Sequence, residues 1–363
     1  MSRKKIIGII IGAVLVIALF GVGIFLIEKH SERAVDPDDY EDYEDYEEED
    51  LGPKYLYFGD DEYEITHNIE TYLLMGLDES GNEAAVGTDD YRGRMADFLL
   101  LLVIDKTDNT YGFVQLNRDT MVDIPYIDTK GNGDGSAFEQ LCIAHWYGGT
   151  PEMGCDNTVF VTSELLGDVP IDGYYSIQMS DIKILNHAVG GVEVTLEDDF
   201  SSVDPEMTAG KTLTLTDEQA EIFIRGRMEI GDGKNESRMR RQLQYMQGFK
   251  AKALQKIGED ASFIDDLLEA LKADAVTDIP NSKISVIANQ VYKNKDLGIL
   301  QYEGEATEGD TLHDGIIHAE FYPDTDSIAK VMATLCGIDE AHIKHYEEYD
   351  DAYYETLDYD EED

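Results

Sequence analysis

The sequence predicts an α/β protein with a central mixed β-sheet flanked by helices, preceded by one transmembrane helix. Three observations predict it. Short apolar runs of strand length alternate with helical segments, the pattern of a sheet covered by helices. Two such runs, 98–104 and 110–116, are separated only by Lys106-Thr107-Asp108-Asn109, a hairpin turn. Residues 6–27 form 22 residues without a charge. As a helix they reach about 33 Å, enough for the ~30 Å hydrocarbon core of a bilayer.

That segment follows Arg3, Lys4 and Lys5, so the positive flank stays cytoplasmic and the rest of the chain lies outside. It is long for a signal peptide and no A-x-A site follows, which favours an uncleaved signal-anchor. Residues 36–50 carry 11 acidic side chains and 347–363 another 10, with no Lys or Arg in either. Charge at this density repels itself and buries no core. The organisation that follows is a cytoplasmic stretch 1–5, a membrane helix 6–27, an acidic extracellular tether 28–54, a folded domain 55–337 and an acidic disordered tail 338–363.

Inside the domain, 69–77 reads as a buried strand ahead of the hairpin. Residues 157–166 suit a helix, 173–177 a strand, 179–188 a helix and 191–196 a strand. Thr216 and Gln219 form a capping box opening a helix to 225. Residues 236–257 and 263–273 read as further helices, and 321–336 ends the fold.

The chain carries 77 Asp+Glu against 28 Lys+Arg, a net charge of −49, and stays at −28 without its two acidic stretches. Nucleic acid is excluded as a partner, because its binders need a basic face. Any phosphate must meet a local basic cluster. Arg225, Arg227, Arg238, Arg240 and Arg241 fall within residues 225–241. Arginine is planar and permanently charged, suited to bidentate grip on phosphate oxygens. The alternative is a set of surface salt bridges, which so acidic a chain supplies easily. Arg118 follows one apolar strand and Asp78 another, where ligands gather in open α/β sheets. Asp97 immediately precedes the run 98–104. If that strand is antiparallel to 69–77, Asp78 and Asp97 end at one edge, a site for Mg²⁺-bound diphosphate. Alone, each Asp is equally a turn or cap residue.

No Gly-x4-Gly-Lys-Ser/Thr loop, Gly-x-Ser-x-Gly elbow or His-Glu-x-x-His pair is present. His145 and Trp146 suit local packing better than a pocket lining. The oxidising side of the membrane favours a disulfide between Cys142 and Cys155, leaving Cys336 unpaired.

Taken together the motifs resemble the LytR–CpsA–Psr family of cell-wall glycopolymer ligases. The resemblance runs over residues 68–256, in the family's order. Tyr72-Leu73-Leu74-Met75-Gly76-Leu77-Asp78 is similar to its first strand, and Arg94-Met95-Ala96-Asp97 to its Arg/Asp segment. Leu116-Asn117-Arg118-Asp119-Thr120 resembles Pro-Arg-Asp-Thr, and Tyr147-Gly148-Gly149 resembles Tyr-Gly-Gly. His187-Ala188-Val189-Gly190-Gly191-Val192 resembles Ala-Leu-Gly-Gly-Val, and residues 215–219 resemble Leu-x-Gly-x-Gln. Ile224-Arg225-Gly226-Arg227 resembles Ala-Arg-x-Arg, and Arg238-Met239-Arg240-Arg241-Gln242 resembles Arg-x-x-Arg-Gln. Asn117 departs from the family's Pro, and Gln140-Leu141-Cys142 from its Lys-Ile-Asn. The loop between Asp78 and Asp97 is longer.

The resemblance implies a Mg²⁺-dependent (or Mn²⁺-dependent) phosphotransferase. It would move an anionic glycopolymer from an undecaprenyl-diphosphate carrier to peptidoglycan at the cell membrane. It implies Asp97, Arg118 and Arg227 as catalytic residues and Asp78 and Asp97 as metal ligands. Arg94, Arg118, Arg225, Arg227, Arg238, Arg241 and Gln242 would bind diphosphate. The alternatives are a prenyl-diphosphate-binding regulator and a diphosphatase without ligase activity.

Overall fold

The computed structural model describes residues 54–345, apart from 79–85, 87–90, 129, 131–132, 227–229, 232–234, 261 and 311–314. The expected membrane helix 6–27, most of the tether and residues 346–363 lie outside the described residues. Among the described residues no helix is long and apolar enough to cross a membrane.

The chain opens with a hairpin of β1 (Lys54–Phe58) and β2 (Asp61–Ile65). Next come the central strands β3 (Ile69–Leu77), β4 (Ala96–Asp105) and β5 (Thr110–Leu116). A second hairpin, β6 (Met121–Ile127) and β7 (Gly133–Gln140), leads through a 3-10 turn (Leu141–Trp146) to α1 (Pro151–Leu165). Then follow β8 (Tyr174–Gln178), α2 (Ile182–Val189), β9 (Glu193–Thr195), β10 (Thr212–Thr214), α3 (Asp217–Arg225), α4 (Asn235–Glu259) and α5 (Phe263–Leu271). The last part contains β11 (Val276–Thr277), α6 (Asn281–Lys293), β12 (Lys295–Leu300), β13 (Gly304–Gly309), β14 (His318–Pro323), α7 (Thr325–Leu335) and β15 (Ile343–Lys344).

The main sheet has six strands in the order β11-β8-β3-β4-β5-β12. It is mixed: β3 runs antiparallel to β4 and parallel to β8, and β5 runs antiparallel to β4 and parallel to β12. The continuous apolar run in β4 has a direct cause, because both faces of that strand are covered. Phe98, Leu100, Leu102 and Ile104 join a core with α2 through α6, while Leu99, Leu101 and Val103 join a second core with α1 and α7. Residues alternate between faces along a strand, so a doubly covered strand is apolar at every position.

Thr216 caps α3 as its sequence predicts: its hydroxyl accepts from Gln219 N and the Gln219 side chain accepts from Thr216 N. Helix α1 starts six residues before the expected 157. Thr150 is its N-cap, accepting from Met153 N, and Pro151 occupies its first turn, where a missing N–H costs nothing. Residues 338–345, expected as part of the tail, belong to the fold. Ile338 is buried, and Ile343 pairs with Tyr63 of β2 while packing on the second core.

Candidate functional site

The site is built at one end of the central strands. Strands β3 and β4 pair antiparallel with Leu77 opposite Ala96, and a register shift sits between Gly76 and Leu77. Asp78 and Asp97 therefore leave the sheet at the same edge, as their positions in sequence imply. Asp78 is drawn onto the start of β4: its Oδ1 accepts from Met95 N at 3.0 Å and its N donates to Met95 O at 2.9 Å.

Asp97 is the hub. One carboxylate oxygen is paired with Arg118 Nη1 and the other with Arg238 Nη1 at 3.0 Å. Arg118 comes from the loop after β5, and Arg238 from the first turn of α4. Arg118 also lies 3.3 Å from Asp119 Oδ1 through its Nε, and its Nη2 donates to Cys142 Sγ at 2.7 Å. Burial disfavours charge on Arg118, but Cys142, Asp97 and Asp119 outweigh it and hold the pKa above the ordinary arginine value.

Asn117 has a structural reason to be there. Its Oδ1 accepts from Asp119 N at 3.0 Å, closing a turn that asparagine favours. The same oxygen accepts from Asn235 Nδ2 at 2.8 Å, and Asn235 Oδ1 accepts from Arg238 Nη2 at 2.8 Å. A proline at 117 has no side-chain acceptor, so the link from this loop to Arg238 belongs to Asn117. Gln140, the other departure, donates to Asp119 Oδ1 at 3.3 Å and to the carbonyl of Ala319.

The remaining predicted residues divide. Arg94 is half-buried beside the hub, donating to Asp78 O at 3.0 Å and to Gln178 Oε1 at 3.2 Å. Arg241 is buried and turned to the end of α3, donating to the carbonyls of Phe223 and Gly226, and it pairs with Asp198 of the loop between β9 and β10 at 2.8 Å. Arg225 pairs with Glu221 on its own helix at 2.6 Å. Arg227 lies outside the described residues. Thus Asp97, Arg118 and Arg238 meet directly, Asp78 and Arg94 adjoin them, and Arg225 and Arg241 make their ion pairs elsewhere.

The expected disulfide does not form: Cys142, Cys155 and Cys336 are free and buried. Cys142 is turned to Arg118. Burial pushes its thiol up to about 12, so it meets the guanidinium as a neutral acceptor. Cys155 Sγ lies 3.6 Å from His145 Nε2. Burial pulls His145 down to about 4, and its ring packs neutral under Arg94, the packing role its sequence setting favours.

An apolar cavity opens beside the hub, lined among others by Leu74, Phe98, Ile177, Met179, Tyr245 and Met246. Gly76 keeps it open, because a Cβ there would stand 2.7 Å from Met179 Sδ. Two amides reach it, Gln178 and Gln242. Gln178 already accepts from Arg94. Gln242 Nε2 is buried without a hydrogen-bond partner among the described residues, a donor left for whatever enters.

The sequence reading missed Asp181, which follows Met179 by two residues and accepts from Gln178 N at 3.0 Å. Burial, with Asp274 close by, raises its carboxyl to about 6. Only its packing beneath Gln178 marks it, and that depends on the folded arrangement of β8 and α2.

The LytR_cpsA_psr family matches residues 40–336 of this chain. A polyisoprenyl-teichoic acid–peptidoglycan teichoic acid transferase TagU of Enterococcus faecalis is 32% identical over 216 residues, covering 60% of this chain and 63% of that protein. The chain thus spans less than two thirds of the length of this relative. Among solved structures, gbs0355 from Streptococcus agalactiae superposes with a TM-score of 0.57 at 21% identity, covering 80% of this chain and 96% of that one. B. subtilis TagV superposes with a TM-score of 0.52 at 20% identity, covering 76% and 97%. Both share the fold, a mixed sheet between helical layers.

Proposed function

The chain belongs to the LytR_cpsA_psr family, and from that premise we propose that it is a membrane-anchored phosphotransferase. It moves an anionic glycopolymer from an undecaprenyl-diphosphate carrier onto peptidoglycan. One observation carries this reading: an arginine–aspartate hub adjoins a small apolar cavity, whose lining includes Gln242, one helical turn from Arg238. Phe98, next to Asp97, and Gln178, held by Arg94, both line that cavity. A ligand suited to both parts joins a diphosphate to a hydrocarbon chain. Each CH₂ it buries is worth about 0.8 kcal/mol. The relative named as a teichoic acid transferase is consistent with this chemistry.

In this reading a glycan hydroxyl bonds to the phosphorus nearest the glycopolymer, and the bond to the other phosphate breaks. Prenyl phosphate leaves with the electron pair. The hydroxyl proton passes to a base, for which Asp97 and Asp78 are the carboxylates at this edge. Arg118, Arg238 and Arg94 neutralise the phosphate oxygens, and such contacts to developing charge are typically the largest single contribution to catalysis. Asp97 holds two guanidinium groups apart and aimed. Arg227, Arg225 and Arg241 complete the basic segment. Gln242 donates its open amide.

The donor set fits Mg²⁺ as an ion shared with substrate. Asp78 and Asp97 are two hard oxygen donors, too few to cage a metal alone but sufficient when phosphate and water complete the shell. Asp97 keeps lone pairs beyond the two its arginines occupy. When bound there, the ion would neutralise diphosphate charge. The segment 6–27 anchors the domain where a lipid donor resides, on the outer side of the membrane.

The test incubates the full chain with prenyl-diphosphate-linked glycopolymer, Mg²⁺ and peptidoglycan. The expected result is a covalent glycopolymer–peptidoglycan link formed with equimolar prenyl phosphate. Prenyl phosphate without the link would make the protein a diphosphatase, and tight lipid binding with neither product would make it a binding protein.

A further inference from the structure

A second cavity, of ≈ 290 Å³, lies on the other side of the hub. It is lined by Gln115, Asn117, Glu236, Arg240, Gln301 and Tyr302, among others. The two cavities lie over different parts of the sheet. The apolar one uses β8, β3 and β4 through Ile177, Leu74 and Phe98. The second uses the ends of β5 and β12 through Gln115 and Gln301. In strand order the Asp97–Arg118 pair stands between them, joining β4 to the loop after β5.

Helix α4 makes the same division. Gln242, Tyr245 and Met246 face the apolar cavity, whereas Glu236, Arg240 and Leu243 line the other. Arg238, on Asp97, belongs to the hub. The second cavity reaches the hub through Asn117, whose Oδ1 accepts from Asn235, the residue that holds Arg238.

Its chemistry differs from the hub's. Gln301 Nε2 donates to the buried Gln115 Oε1 at 2.7 Å, setting an amide pair into the wall. Glu236 and Arg240 add one charge of each sign, and Arg240 is already paired with Glu197 at 2.9 Å. The ring of Tyr302 is buried in the wall because its hydroxyl is held by Thr120 Oγ1 at 3.1 Å. Amides and one charge of each sign, set among the apolar surfaces of Met239, Leu243, Tyr302 and Phe321, suit an uncharged ligand that carries hydroxyl and amide groups on an apolar ring face. The volume is at the small end of the ~300–1,000 Å³ usual for ligand sites, room for about one ring.

We propose that this cavity of mixed lining is the acceptor subsite, taking one uncharged N-acetylated sugar ring of the acceptor glycan and presenting its hydroxyl to the hub. The inference rests on the transferase reading above. Phosphoryl transfer places attacking and leaving oxygens roughly in line. With the prenyl phosphate departing toward the apolar cavity, the attacking hydroxyl arrives from the side where this cavity lies.

The test uses the full chain and the variants Gln301→Ala and Glu236→Ala, both at exposed rim positions. Calorimetry measures binding of an N-acetylglucosamine tetrasaccharide, of bare prenyl diphosphate, and of prenyl diphosphate carrying its first sugars. The expected result is saturable tetrasaccharide binding by the parent chain, weakened about tenfold in each variant, as for one or two lost hydrogen bonds. Both lipids should bind as before. No saturable tetrasaccharide binding, or equal binding by parent and variants, overturns the proposal. A tenfold loss confined to the sugar-bearing lipid also overturns it, by giving the cavity to the donor's own sugar. If the tetrasaccharide result holds while neither lipid binds, the sugar site stands and the transferase reading fails.

Discussion

Strand β4 carries a buried or nearly buried aspartate at each end, and the two do different things. Asp105, 1% exposed, accepts from His67 Nδ1 at 2.7 Å, Thr107 N at 2.8 Å and Asp108 N at 3.2 Å. Two of those donors are backbone groups of the turn that follows. Asp97 has no such local set: its partners Arg118 and Arg238 lie 21 and 141 residues away. An aspartate satisfied by its own turn stabilises that turn. One whose oxygens are taken by guanidinium groups from two other elements keeps cations gathered beside a cavity. The Asp105 end imitates a metal centre, since His67, Asp105 and Asp108 place ligand atoms within 4.8 Å of one another. Both Asp105 oxygens are already engaged there, and the cluster sits roughly 27 Å along the strand from Asp97.

The sharpest way to break this contrast is Arg118→Ala. Transfer should fall by two to three orders of magnitude, roughly the 3–4 kcal/mol of one charge contact to a developing oxyanion. Arg118→Lys should recover only part, because a point charge cannot replace a planar fork. Arg118 is buried against Asp97, Asp119 and Cys142, so the melting temperature should fall as well. A stability loss therefore does not by itself separate a binding arginine from a structural one. What separates them is the ratio: an Arg118→Ala chain that melts early but turns over normally at low temperature would reduce the hub to a salt-bridge network.

The opposite end should show the opposite ratio. Asp105→Asn keeps the shape but weakens three hydrogen bonds, at about 1–3 kcal/mol for a buried group. For a domain of this size that lowers the melting temperature by about 2–10 °C. Turnover below the transition should stay near the parent value. A tenfold loss of turnover without a melting shift would mean that the two ends of β4 are coupled through the sheet.

The same contrast explains what could be read from sequence. Strands β3 and β5 begin and end where apolar patterning places them, and Thr216 with Gln219 marks the start of α3, because these signals are local. Thr150-Pro151 is an equally local start signal for α1; the expected start at 157 passed over it in favour of the apolar residues that follow. The hairpin β6–β7 left no apolar run, since its residues pack largely by one face against the 3-10 turn and α1. In the site, the shared edge of Asp78 and Asp97 follows from antiparallel pairing alone. The partner of each arginine does not: Arg225 pairs four residues back along its helix, Arg241 pairs with Asp198, and Arg238 reaches Asp97 across the domain. Nothing in the spacing of five arginines distinguishes these cases. The cysteines misled for the same reason, because compartment predicts oxidation only for thiols that meet, and Cys142 meets Arg118 instead.

The smallest expected effect is the most specific to the Asp105 end. The hydrogen bond to Asp105 is the main influence raising the His67 pKa; burial opposes it, while Asp108 and Asp339 add to the rise. A histidine whose folded pKa is raised stabilises the fold as a cation. Its contribution is fully present below the unfolded value of about 6.5 and is lost as pH rises through the higher folded value. His67→Gln removes the charge and keeps a polar side chain. Its melting temperature should lie below the parent's at pH 5.5, by about 1–4 °C for an ion pair worth up to ~1 kcal/mol. The gap should narrow by pH 9, where the parent ring is neutral as well. Scans of both chains at the two pH values check this, with turnover at neutral pH expected to be equal. A gap of the same size at both values would show that His67 holds the turn by shape alone. The clustering of Gly337 supports that alternative, since a Cβ there would stand 2.3 Å from His67 Nδ1. A gap that closes would instead assign His67 the role at Asp105 that Arg118 and Arg238 fill at Asp97, with a cation that neutral pH can remove.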